Sequence, residues 1–252
     1  MIQRILVSLD GTDFSEHALP HAVAIAKRSG ASINLATVEV PPPAAFPDVA
    51  FLEPLLDAEL KYLDQVAEQV RQSGVEEVTV TVLTGNAPEA LEIHRDAIKA
   101  DLTVMATHGR GPVARSWLGS VADHFARVTE APVLMVRPSE EEKPDLGVLP
   151  NIDRIVLTLD GSELSESAAG AALEMARLFG AGITLVRVIE YPNRTESVYL
   201  PDAIEAIEDR LEESRKATDA ELERVAARLR EQGDAPVDQK TRVVVHAAEG
   251  IL

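Results

Sequence analysis

Short runs of branched apolar residues alternate along the chain with longer segments whose apolar positions recur at helical spacing. Arg4-Ile-Leu-Val-Ser-Leu9 lacks the in-and-out alternation of a half-exposed strand, so it reads as a strand buried on both faces and stopped by Asp10-Gly11. A helix follows, capped by Thr12 or Asp13, with Ala18, Ala22, Ile25 and Ala26 on its inner face and Gly30 as its stop. Residues 31–38 form a second strand. The prolines from Pro41 to Pro47 make an exposed loop, after which Leu55, Leu56, Leu60, Leu63, Val66 and Val70 mark the buried face of a helix over about 53–73. Residues 78–83 are a third strand, Gly85-Asn86 a turn, and 88–100 a helix with Pro88 in its first turn. A fourth strand spans 102–107, and a loop of small residues leads to a helix over 121–129 and a fifth strand over 132–136. This alternation predicts an α/β fold, a doubly wound five-stranded parallel sheet with helices on both faces.

The pattern then begins again. Arg154-Ile-Val-Leu-Thr-Leu-Asp160-Gly-Ser-Glu-Leu-Ser-Glu166 repeats Arg4-Ile-Leu-Val-Ser-Leu-Asp10-Gly-Thr-Asp-Phe-Ser-Glu16 at a constant offset of 150. The register holds from Gly180 to Val188 against Gly30 to Val38, so a whole domain is duplicated. Between the copies lies a charged stretch with Pro144 and Gly147, read as a linker. The expected domains are 1–138, a linker 139–150, and a second copy 151–252. That copy continues through an irregular Tyr191-Pro-Asn-Arg stretch, a long charged helix over about 202–232 and a strand near 241–245. His246-Ala-Ala-Glu-Gly-Ile-Leu252 then parallels Gly85-Asn-Ala-Pro-Glu-Ala-Leu91. Nothing after it answers to the fourth strand, the small-residue loop or the fifth strand, so a complete site is expected only in the first half.

At 252 residues, 46% hydrophobic and 26% charged, the chain can fill two cores of ordinary size. It has no cysteine, which excludes disulfides, thiol catalysis and thiolate zinc sites and fits a reducing cytoplasm. The first apolar run is too short for a signal peptide, and no apolar stretch is long enough to span a bilayer, so a soluble protein is expected. A net charge of -18 argues against a nucleic-acid or anionic-membrane surface and reads as a solvated acidic exterior.

Against that acidic background, residues 106–120 stand out: Ala-Thr-His-Gly-Arg-Gly-Pro-Val-Ala-Arg-Ser-Trp-Leu-Gly-Ser. Gly109, Gly111 and Gly119 let backbone N–H groups approach a ligand closely, Ser120 is placed to cap the next helix, and Arg110 and Arg115 add positive charge. The stretch reads as a phosphate cradle between a strand and a helix. A Walker pattern ending Gly-Lys-Ser/Thr is absent, and Gly109-Arg-Gly111-Pro-Val-Ala114 lies too late in the chain for a dinucleotide fingerprint. His17 and His21 sit one helical turn apart without a third ligand nearby, which favours an ordinary helix surface over a metal site. His108 reads as a positioning group rather than a base, since no Ser or Asp beside it makes a relay, and Trp117 reads as an anchor for the loop.

With these residues in view, the sequence resembles the universal stress protein family in its tandem form. Nucleotide-binding members carry Gly-x-x-Gly, nine residues, then Gly-Ser/Thr; here Gly109, nine residues and Gly119-Ser120 match, with Ala106 in place of the first glycine. The resemblance implies strand order 3-2-1-4-5, with ligand at the ends of strands 1 and 4. It implies that Ser8, Leu9 and Asp10 border ribose and adenine, that the Val38 backbone meets the adenine edge, that Ala106 lies beside the ribose, and that Met105 and His108 also belong to the nucleotide site, His108 within the cradle. Gly109, Arg110, Gly119, Ser120 and Val121 would hold phosphates, with Mg²⁺ bridging them. Asp160 takes the place of Asp10 in the second copy without a partner loop. The fifth strand is expected to pair across a homodimer or within the tandem. The implied function is an ATP-binding regulatory or sensor module of the stress response with little or no turnover, since no residue stands out to activate a water. A slow ATPase, and a nucleotide-independent interaction protein using the acidic helix 202–232, are the alternatives.

Overall fold

The structure, a computed structural model, describes residues 1–40, 49–107, 119–129, 131–139, 142–190 and 201–244, with their side chains except those of 49–52 and 201–206. The proline loop, the cradle from His108 to Leu118, Tyr191 to Arg194 and the stretch from Val245 onward lie outside those residues. Two compact units divide the chain, Met1–Asn151 and Ile152–Leu252.

In the first unit β1 (Arg4–Ser8), β2 (Ser32–Glu39), β3 (Val78–Thr84), β4 (Leu102–Ala106) and β5 (Val133–Val136) form a parallel sheet in the order β3-β2-β1-β4-β5. Ile5, Leu6 and Val7 are each 0% exposed, and successive strand residues point to opposite faces, so both faces of the sheet are covered. On one face Leu6, Ala36 and Met105 pack with Leu91 of α4 (Ala87–Ile98) and with Ala122 and Phe125 of α5 (Ser120–Val128). On the other lie α2 (Ala18–Ser29), against β1 and β4, and α3 (Val49–Gln72), against β2 and β3. Burying each Leu or Ile in such a layer contributes roughly 1.5–3 kcal/mol, and that burial holds the sheet against the chain entropy it costs.

Two helices differ from the sequence reading. The segment after Asp10 is not one helix but a four-residue α1 (Asp13–Glu16) and then α2, parted at His17. The duplicate breaks at Ala168, between α6 (Glu163–Ser167) and α7 (Ala169–Phe179). Pro20 in one copy and Gly170 in the other, both poor at propagating a helix, follow the break by two or three residues. The third helix begins at Val49, ahead of the expected Glu53, and carries Pro54 inside it. Its apolar stripe is not uniformly buried: Leu63, Val66 and Val70 are at most 3% exposed, whereas Leu60 is 42% exposed. A helix of 24 residues is ~36 Å long, while the seven residues of β3 reach only ~23 Å, so the first turns overhang the sheet.

The second unit repeats the first three strands. β6 (Arg154–Leu159), β7 (Gly182–Glu190) and β8 (Val237–Val244) form a three-stranded parallel sheet. Leu157, Leu159, Ile183 and Leu185 pack with Leu173 and Ala176 of α7 and with Leu222, Val225 and Leu229 of α8 (Pro201–Gln232). β8 starts at Val237, not near Thr241; Asp238, Gln239 and Lys240 are exposed residues of an edge strand, and their polarity hides the strand from a search for apolar runs. Among the described residues no helix is long and apolar enough to cross a membrane.

Candidate functional site

The winding of the first sheet reverses between β1 and β4. From β1 the chain passes outward to β2 and β3, and from β4 it passes the other way to β5, so the connections diverge and leave a crevice at the C-terminal ends of these two strands. Ser8, Leu9 and Asp10 lie at the end of β1, Met105 and Ala106 at the end of β4, and Val38 near the end of β2. Ser8 is in register with Ala36 on one side and Met105 on the other. The side chains of Leu9 and Met105 are 3% and 2% exposed, hence part of the core. The Leu9 N–H donates to the Ala36 carbonyl at 2.9 Å. Ser8, Asp10, Val38 and Ala106 are half-buried. His108, Gly109 and Arg110 lie outside the described residues.

Asp10 sits in a tight turn. Its Oδ1 accepts from the Thr12 N–H at 3.1 Å and from the Thr12 hydroxyl at 2.6 Å, and its own N–H donates to Ser15 Oγ at 3.1 Å. Thr12 is the N-cap of α1, its Oγ1 accepting from the Ser15 N–H at 3.3 Å. Gly11 between them has φ 74°, a left-handed conformation that a side chain would strain. The carboxylate is therefore an oriented acceptor, fixed before any ligand arrives.

At the end of the neighbouring strand β4, α5 begins. The Gly119 N–H donates to the Thr107 carbonyl at 2.6 Å, and the Thr107 N–H donates to Val136 at 2.8 Å, which anchors the helix start to the ends of β4 and β5. Here the sequence reading needs correction: Gly119, not Ser120, is the N-cap, no side-chain bond caps the helix, and Ser120 is its exposed first residue. Gly119 takes the extended backbone of a cap, φ -67° and ψ 160°, which shifts Ser120 into the first turn. The first helical bond runs from the Asp123 N–H to the Gly119 carbonyl, so the N–H groups of Ser120, Val121 and Ala122 precede the ladder. With the helix dipole behind them, donors placed this way suit an anion.

The second copy reproduces the turn bond for bond. Asp160 Oδ1 accepts from Ser162 N–H at 2.8 Å and Ser162 Oγ at 2.6 Å, and the Asp160 N–H donates to Ser165 Oγ at 3.3 Å. The Ser162 hydroxyl and N–H hold the Asp160 carboxyl down to about 2. What lies beneath the turn differs. Arg187 of β7 reaches both oxygens of Glu221 on α8 at 2.5 Å, and its guanidinium lies close against Gly161. The matching bonds Arg71 to Val78 O and Arg230 to Val237 O align α3 with α8, and put Tyr62 where Glu221 stands. Tyr62 is a residue that sequence reading missed: its hydroxyl donates to Glu16 Oε1 at 2.9 Å, at the end of α1. The one signal for it in the sequence is a tyrosine beside Leu63 on an amphipathic helix, which resembles any half-buried flank.

The universal stress protein family model matches residues 1–137 and again 151–252. A universal stress protein of Thermus aquaticus is 33% identical over 138 residues, 54% of this chain and 100% of that relative. Another, from Methanocaldococcus jannaschii, is 30% identical over 148 residues, 56% of this chain and 86% of its own. Among solved structures, a universal stress protein from Archaeoglobus fulgidus superposes with a TM-score of 0.69 at 16% identity, covering 99% of this chain and 81% of that one, which shows a shared fold. With a five-stranded 3-2-1-4-5 sheet in the first unit and two successive matches to the family, the chain belongs to the universal stress protein family.

Proposed function

We propose that the first unit binds one ATP with Mg²⁺ in the crevice between β1 and β4, and that the protein is a regulatory or sensor module of the stress response with little or no turnover. The observation that carries this reading is the convergence, at the reversal of winding, of a fixed carboxylate at Asp10 and the helix N-terminus at Gly119-Ser120-Val121. The carboxylate suits ribose hydroxyls, the first-turn amides suit phosphate, and the Val38 end of β2 suits the adenine edge. His108, Gly109 and Arg110 join the phosphate side on the strength of the loop sequence. Among the described residues no group of three His, Cys, Asp or Glu could hold a metal, so Mg²⁺ would be held through phosphate oxygens. Asp10 Oδ1 accepts two bonds from Thr12, which orients the carboxylate as an acceptor for hydroxyl groups.

The edge strand β5 pairs with β4, and Val133, Leu134 and Met135 on it are half-buried. We place there the pairing with the same strand of a second chain, across a homodimer. A cytoplasmic location fits a chain without cysteine. Calorimetric titration with Mg·ATP is the test, paired with a phosphate-release assay. Wild type should bind, Asp10→Ala should bind at least about tenfold more weakly, as expected when charge-assisted bonds are lost, and released phosphate should stay near background. Absence of binding, or full affinity in Asp10→Ala, would overturn the reading; steady metal-dependent phosphate release would replace it with a slow ATPase.

A further inference from the structure

The four-residue α1 has a single buried side chain, Ser15, and its large apolar residue, Phe14, is 42% exposed. Hydrophobic burial does not hold this element in place. Polar ties from three directions do. The first is the Asp10 turn, whose N–H donates to Ser15 Oγ at 3.1 Å. The second comes from α3, where the Tyr62 hydroxyl donates to Glu16 Oε1 at 2.9 Å. Burial, and after it the charge of Glu16 beside the phenol, push the Tyr62 pKa far above its ordinary value, so the hydroxyl stays a donor. The third comes from the chain after β5. His17, the C-cap of α1, has its ring between two carbonyls, Asp13 O at Nδ1 and Glu142 O at Nε2, each 2.9 Å away. Beside it the Lys143 ammonium stands 3.3 Å from Asp13 Oδ2.

The duplicate carries the same kind of tie in different chemistry. Glu166, the counterpart of Glu16, accepts from Arg228 of α8 at 2.9 Å. In both copies the glutamate that ends the motif is fastened to the long helix.

We propose that Tyr62 and His17 are positioning residues for the Asp10 carboxylate, and that α1 is a latch coupling occupancy of the crevice to the segment at Glu142 and Lys143. The proposal rests on the nucleotide reading of the same crevice. A ligand that holds Asp10 also holds the Asp10-Thr12-Ser15 network and therefore α1. A fixed α1 then keeps its grip on Glu142 and Lys143. Linkage makes the effect mutual, so loosening either tie must weaken the ligand.

The test combines calorimetry with hydrogen exchange on the full chain. Saturating Mg·ATP should slow amide exchange in residues 13–17 and 142–146 together. Tyr62→Phe keeps the ring and loses the hydroxyl, with its bond to Glu16 and its contact with Ser15; His17→Ala removes the ring that lies between the two carbonyls. Each should weaken Mg·ATP by roughly threefold to tenfold, the range expected for one hydrogen bond to a charged or polar partner. Adding Glu16→Gln to Tyr62→Phe should cost little more, because the two residues act as one tie. A merely structural loss would speed exchange in β1 and β2 as well, whereas loss of the latch is confined to α1 and 142–146. Full affinity in both variants, or protection of α1 without protection of 142–146, would overturn the proposal. Should wild type bind no nucleotide, the nucleotide reading falls, and the latch is judged in the free protein. There Tyr62→Phe must still speed exchange in residues 13–17 and 142–146, and unchanged exchange would sink it.

Discussion

Asp160 and Asp10 show how a short motif fixes a side chain. Each accepts two bonds from the hydroxyl residue two places on, and each receives a serine Oγ at its own N–H. For Asp160 these bonds favour the ionised form, so a carboxyl NMR titration should give a midpoint of about 2, and Ser162→Ala should move it toward 3.8. A carboxylate whose folded pKa is lowered adds stability above its ordinary pKa and loses it as pH falls toward the folded value. Two histidines respond at milder pH. Burial is the leading cause that lowers the pKa of both His21 and His94; the His94 ring Nε2 lies 2.9 Å from Asn34 Oδ1, whose amide donates to Thr79 and Thr81. Both are held neutral in the fold and must charge more readily when it opens, so their contribution is present above about pH 6.5 and is lost as pH falls below it. Thermal melts should show that decline, and His21→Gln with His94→Gln should flatten it; an equally steep decline in the double variant would refute the assignment. Neither Tyr62 nor the His17 contacts could be read from the sequence, because each depends on a neighbour 46 or 125 residues away.

The helices and strands follow the chain's patterning where burial is uniform and depart from it where an element outruns its support. β1 was legible because Ile5, Leu6 and Val7 are all covered, and consecutive burial writes a continuous apolar run. α3 was legible as a helix from Glu53 onward, but its stripe is fully buried only from Leu63 on. Leu60 and Leu63 are equivalent in the stripe, yet the former is 42% exposed and the latter 0%. Leu63→Ala should therefore cost about 2–5 kcal/mol in denaturant melts and Leu60→Ala less than about 1 kcal/mol. Equal losses would show that the whole stripe is buried in solution. The start of β8 and the N-cap of α5 were misread for the same physical reason. Side-chain polarity reports what faces water, whereas strand pairing and capping here are backbone events at Val237 and Gly119. The order of the strands could not come from periodicity at all; it came with the family resemblance.

For the molecule as a whole, the duplication was the plainest message of the sequence, and the two sheets carry it into structure: five strands in the first unit, and in the second a three-stranded counterpart of β1 to β3. Each sheet has a core of its own residues. They differ at the crevice. The first unit has β4 beside β1 with the start of α5 tied to the end of β4, while Asp160 has the corresponding turn with an Arg187–Glu221 pair beneath it. The central claim is that one of the two aspartate turns belongs to a nucleotide site and the other does not. Its most direct test is the stoichiometry of Mg·ATP binding to the full chain, measured by calorimetry on wild type, Gly119→Val and Asp160→Asn. Gly119 has φ -67°, a conformation valine adopts without strain, so the substitution keeps the backbone and adds a side chain at the proposed phosphate end. The account predicts one nucleotide per chain, lost in Gly119→Val and kept in Asp160→Asn. Two nucleotides per chain, or binding that survives Gly119→Val and vanishes in Asp160→Asn, would contradict it.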